Sequence, residues 1–162
     1  MMYRAGDTIV YGNSGVCRVA EIKTTDLGMG EKTYYVLRTL SEKGSGTIFV
    51  PLDSAALCAR MHPLLTADGF ESTVRAAAPL SGDEWPQDSR ARTKRIKEIL
   101  SSGDRLLLIR LVKTLSDARR RGERHTVADD AAMQHAADML YEEASLLFDL
   151  QPGDMLPFLT AD

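Results

Sequence analysis

The sequence predicts an α+β chain: a small antiparallel β-barrel followed by an all-α helical domain. Three observations carry this. Short β-rich runs recur at roughly ten-residue spacing over the first sixty or so residues, as in small barrels. From Thr66 onward the apolar residues fall at helical spacing instead. Between the two patterns, His62-Pro63 marks the change. At 162 residues the chain has room for one domain or two small ones. Two, over 1–62 and 66–162, is the simplest organisation.

Asp7–Tyr11 reads as the first strand, and Gly12-Asn13-Ser14-Gly15 as a turn rich in residues that tolerate positive φ. Residues 16–22 alternate, placing Val16, Arg18, Ala20 and Ile22 on one face and Cys17, Val19 and Glu21 on the other. Residues 26–31 form a loop. Two further strands, 32–40 and 47–52, flank a polar turn at 41–46. A β core of this size is marginal unless it packs on something else.

In the second half, Phe70, Val74 and Ala77 or Ala78 mark a short helix that Pro79 and Ser81-Gly82 end. Trp85, the only tryptophan, lies in a turn-like segment one step before Pro86, a residue suited to a helix start. The helix that follows carries Ile96, Ile99 and Leu100 on one side and Arg90, Lys94 and Lys97 on another. A break at 101–104 precedes a helix with the stripe Leu108, Leu111, Val112 and Leu115. Thr126–Asp129 resembles a capping box. It opens a long helix whose buried stripe is Met133, Ala136, Ala137, Leu140, Ala144 and Leu147. Pro152-Gly153-Asp154 punctuates before a short apolar tail.

The net charge of −3 hides an asymmetry. Residues 90–124 hold twelve Lys or Arg against four acids, a local charge of +8. Residues 125–162 hold eight acids and no Lys or Arg. One surface is thus expected to be cationic enough to meet phosphates although the whole chain is acidic.

Other classes find little support. No run approaches the ~20 apolar residues of a membrane span, and the start lacks the apolar core of a signal peptide. A cytoplasmic protein is expected, with Cys17 and Cys58 as reduced, packed thiols. His62, His125 and His135 show no metal-ligand spacing, and no nucleophile motif is present. No enzyme, metal or cofactor is expected. The adjacent acids Asp129-Asp130 and Glu142-Glu143 read as a solvated helix face.

Two stretches remain as candidate sites. Trp85 with Arg90, Arg92, Lys94, Arg95 and Lys97 combines a flat apolar side chain with a cationic helix. That suits a wedge at a base step held by phosphate contacts. The alternative is a tryptophan capping a small helical core beside a solvated basic face. The strands Tyr34-Tyr35-Val36-Leu37 and Ile48-Phe49-Val50-Pro51 offer alternate side chains and an open edge for a partner strand. The alternative there is that both strands lie inside a closed sheet.

The pattern Tyr3, Gly6-Asp7, Val10-Tyr11, Gly15-Val16, Tyr34–Leu37 and Ile48-x-Val50-Pro51 resembles the RNA-polymerase-interacting domain of the CarD/CdnL family of bacterial transcription regulators. The same module occurs in the transcription-repair coupling factor. The resemblance continues through Trp85, the basic helix, Ile99–Asp104, Leu111–Leu115 and Met139–Glu143, which look like the family's helical domain. A stand-alone regulator is the better match.

The resemblance implies a Tudor-like five-stranded barrel docked on the RNA polymerase β subunit. The residues 34–37 and 48–51 would carry that docking. C-terminal helices would contact promoter DNA at the upstream edge of the melted region, largely without sequence specificity. Trp85 would wedge into the minor groove and hold the open complex, with Arg90, Arg92, Lys94, Arg95 and Lys97 on phosphates. Two departures limit the transfer. The segment from Trp85 to Gly103 is a few residues longer than in family members. In addition, the barrel arginines that face polymerase in some members correspond to Thr25 and Phe49. The chain is expected to be a monomer, although an open strand edge permits a strand-exchanged dimer. The rival reading is a non-enzymatic protein–protein adaptor, with a peptide-binding barrel, an assembly-forming α domain and Trp85 as an anchor.

Overall fold

The computed structural model describes residues 2–40 and 46–161, so the turn expected at 41–46 lies mostly outside the described residues. The chain divides into two compact units, Met1–Leu64 and Leu65–Asp162.

The first unit holds β1 (Thr8–Tyr11), β2 (Gly15–Asp26), β3 (Glu31–Thr39), β4 (Thr47–Pro51), a one-turn α1 (Ala55–Cys58) and β5 (Met61–Pro63). All pairings are antiparallel and the strand order is β4-β3-β2-β1-β5. Gly15, at φ +81°, turns the chain into β2 in a backbone conformation that favours glycine. The fifth strand has no counterpart among the runs read from the sequence, being three residues long and ending in proline. It is held by β1 and by the Tyr3 hydroxyl, which donates to the Met61 carbonyl at 3.1 Å.

Among the described residues β4 and β5 do not pair with each other, so the sheet is open where a closed barrel was expected. A strand as short as β5, with no N–H at Pro63, has few donors for a second ladder. One further expectation is corrected. Ala20 is an extra residue in β2, because Val19 pairs with Leu37 but Glu21 with Val36. A bulge inverts the alternation beyond it. Ile22 therefore faces Tyr35 on the core side, and Glu21 moves to the face that carries Arg18. The core comprises Tyr3, Ile9, Tyr11, Cys17, Val19, Tyr35, Leu37, Val50 and Met61.

The second unit holds α2 (Ala67–Ala76), a 3-10 turn at Gly82–Glu84, α3 (Ser89–Ser102), α4 (Arg105–Arg120), α5 (Val127–Leu147) and α6 (Met155–Thr160). Four of these helices begin with a polar side chain that accepts a first-turn N–H: Thr66, Asp88, Asp104 and Thr126. Such caps are each worth about 1 kcal/mol. Thr126 and Asp129 complete the expected capping box, with reciprocal bonds of 3.1 and 3.0 Å. The helix after Trp85 starts later than Pro86 suggested, because Asp88 caps it through Ala91 N–H at 3.0 Å.

The stripes expected on α4 and α5 form the centre of this core, with Leu147 only partly buried. Phe70, Phe148 and Phe158 close one side of it, their ring centroids 5.3–6.2 Å apart. Gly103, at φ +65°, ends α3 in the left-handed conformation.

Candidate functional site

Trp85 ends the Gly82–Glu84 turn, and its ring belongs to the helical core, 9% exposed. Three arginines hold this segment. Arg92, one turn into α3, lies over the indole with its guanidinium carbon 5.0 Å from the ring centroid. Arg95 donates from Nε to the Glu84 carbonyl at 3.3 Å. Arg110 of α4 grips the Glu84 carboxylate with both terminal nitrogens, at 3.1 and 2.6 Å, and donates from Nε to the Ala78 carbonyl at 2.9 Å. The Arg110 hydrogen bond, foremost, holds the Glu84 carboxyl below the usual carboxylate range.

These contacts divide the five cations assigned to DNA from the sequence. Arg92 also faces Asp129 at 3.7 Å, and its buried Nε has no hydrogen-bond partner. Arg95 pairs with Glu98 at 3.8 Å. Both are half-buried and serve the fold. Arg90, Lys94 and Lys97 are exposed and form no ion pair among the described residues. At i, i+4 and i+7 they line one face of α3 over about 10 Å. That is a row of mobile donors able to meet a phosphate backbone.

The acidic stretch after residue 124 is folded back onto the basic one. Asp129 meets Arg92, and Asp130 meets Arg119 at 3.3 Å and His125 at 2.6 Å. The His125 bond, foremost, lowers the Asp130 carboxyl below its ordinary range. Glu143, read from sequence as solvated, is 2% exposed. It takes a two-point bond from Arg105, at 2.6 and 2.7 Å, and accepts from Leu65 N–H at 2.8 Å. Asp129 is likewise buried. Helical spacing carried the signal: Glu143 falls on the stripe that contains Ala136, Leu140 and Leu147. Lys113 is also turned inward, capping α2 at the Val74 and Ala77 carbonyls. Half of the net +8 of residues 90–124 is therefore offset by acids outside it, Glu84, Asp129, Asp130 and Glu143.

In the sheet unit, the eight residues expected to dock polymerase fall on two faces. Tyr35, Leu37 and Val50 belong to the core, with Ile48 packed against it. Tyr34 and Val36 are buried on the opposite face, and Pro51 is half-buried. Phe49 is the exposed member at 38%, its ring edge-to-face with Tyr34 at 5.9 Å. The stretch Tyr34–Leu37 is not an edge, because β3 pairs with β2 on one side and β4 on the other. The end strand is β4, which carries Phe49.

Among the described residues no group of His, Cys, Asp and Glu is placed to hold a metal ion. No helix there is long and apolar enough to cross a membrane. Cys17 is buried and Cys58 half-buried, and neither forms a disulfide among the described residues; burial pushes the Cys58 thiol up.

The comparison with curated proteins returned no match. Residues 3–64 match the family model described as the CarD-like/TRCF RID domain. The match spans β1 to β5 and stops where the helical unit begins. Domains of this family are RNA-polymerase-interacting and generally non-enzymatic, which supports RNA polymerase as the partner. With its five strands inside the matched span, the N-terminal unit matches the CarD-like/TRCF RID domain model, which is consistent with a CarD-like family member.

Proposed function

We propose that the chain is a cytoplasmic, non-enzymatic transcription regulator that docks on the RNA polymerase β subunit through its Tudor-like N-terminal domain. The helical domain then contacts upstream promoter DNA and stabilises the open complex. The observation that carries the DNA half is the sorting of cations on α3. Arg92 and Arg95 hold the Trp85 segment, whereas Arg90, Lys94 and Lys97 line an exposed face and form no ion pair among the described residues. With polymerase supplying sequence recognition, phosphate contacts suffice for action at many promoters.

Trp85 is the wedge in this reading. Its ring must leave the core from beneath Arg92 to enter the minor groove, and phosphate contacts offset the unstacking it causes. Burial of the ring favours a second role, in which Trp85 is a fixed anchor that orients α3.

One titration tests both parts. Binding of a polymerase–promoter complex is measured against salt for the natural chain and for a Lys94→Glu/Lys97→Glu variant, with Trp85 emission followed throughout. The slope of log affinity against log salt is expected to fall by about two in the variant. Emission, blue-shifted in the free protein, is expected to be quenched by stacking on bases. An unchanged slope removes DNA contact from α3, and unchanged emission leaves Trp85 as an anchor.

A further inference from the structure

Arg18 on β2 and Arg38 on β3 stand directly opposite each other in the sheet. Both are exposed, and neither side chain makes an ion pair or hydrogen bond among the described residues. Opposite residues hold their Cβ atoms about 4.5–5.5 Å apart, and like charges so placed destabilise the sheet. The row continues with Thr8 opposite Arg18 and Thr47 opposite Arg38. Two cations thus lie between two hydroxyl-bearing residues, with no acid in the row. The next pair on this face is Glu21 with Val36, and Glu21 is not ion-paired with either arginine. The unit does pair cations elsewhere, as Lys32 with Asp53 at 3.4 Å.

We propose that the Arg18–Arg38 pair is a recognition site for a carboxylate side chain on the polypeptide bound by the sheet unit. This rests on the polymerase-docking reading and names the chemistry of that contact. A carboxylate set between two guanidinium groups accepts charge-assisted bonds from both and turns their repulsion into attraction. The repulsion in the free sheet is relieved only when the carboxylate binds.

The surroundings fit a protein rather than a nucleic acid. On the same face the row borders the exposed ring of Phe49, which packs edge-to-face on the buried Tyr34. An exposed aromatic side chain beside arginines suits a protein interface, where both residue types are enriched. A phosphate chain continuing along this face would run onto Glu21.

The test uses the full chain and core RNA polymerase, with affinity measured at low and physiological salt for Arg18→Gln, Arg38→Gln and the double variant. Each single change is expected to weaken binding roughly tenfold, and the double variant to flatten the salt dependence. The unfolding midpoint of each variant is expected to rise by about 1 to 5 °C, because a repulsion has been removed. That rise separates the proposal from loss of fold. If the natural chain binds and the variants bind equally well, the carboxylate site is wrong while the docking reading stands. No binding by the natural chain overturns the docking reading, and this site with it. Loss of DNA binding in the variants with polymerase binding intact assigns the row to nucleic acid and overturns the proposal.

Discussion

The two units treat arginine in opposite ways. In the helical unit, Arg92, Arg95, Arg105, Arg110, Arg119, Arg120 and Arg121 all face carboxylates. In the sheet unit, Arg18 and Arg38 face each other. The first pattern spends charge on internal order, and the second leaves charge for something outside the molecule. Cation density along a chain is thus a poor measure of free positive potential. Half of the +8 stretch is offset by Glu84, Asp129, Asp130 and Glu143, whereas two isolated arginines more than fifty residues earlier have no such partner among the described residues.

The sharpest way to break this comparison is at Glu143. Glu143→Ala removes the two-point bond to the mostly buried Arg105 and takes the acceptor from Leu65 N–H, and is expected to cost about 3 kcal/mol. Denaturant unfolding measures the loss, and a cost near zero would return Glu143 to the solvated face. Next in size is Trp85→Phe, which shrinks a core side chain and weakens the Arg92 stack. A loss of about 1–2 kcal/mol is expected in the same measurement.

The smallest effect is acid release of Glu84. Its carboxyl is held below the ordinary range, chiefly by the Arg110 hydrogen bond. A carboxyl lowered on folding adds stability above its unfolded pKa, and loses it as pH falls through the lowered folded value. A red shift of Trp85 emission is expected to begin below about pH 4, and to flatten in Glu84→Gln. The same shift in both proteins would detach Trp85 from the Glu84 clamp.

What the sequence showed best was local. The Thr126–Asp129 capping box spans one turn, and the α4 and α5 stripes repeat over several, so neither depends on distant residues. What it hid was long-range. Glu143 finds Arg105 across 38 positions, and nothing near either residue announces the partner. Met61–Pro63 is too short and too proline-bound to read as a strand until Tyr3 and β1 hold it in place. A single inserted residue, Ala20, reverses the face of Ile22, and alternation alone does not reveal a bulge. Trp85 is the instructive site. Its cationic neighbourhood was legible, but the division of those cations between clamp and free face depends on Asp129, Glu98 and Glu84, which only the folded helices bring to them.

The bond from Leu65 N–H to the Glu143 carboxylate has a mechanical consequence. Leu65 is the first residue of the helical unit, so any pull on the chain from the unit before it enters there. The load passes at once into α5 and, through Arg105, into α4, the two helices that form the centre of the core. It does not peel α2 from its end. Under the proposed function, with one unit docked on polymerase and the other on DNA, that bond fastens the junction to the helices at the centre of the core.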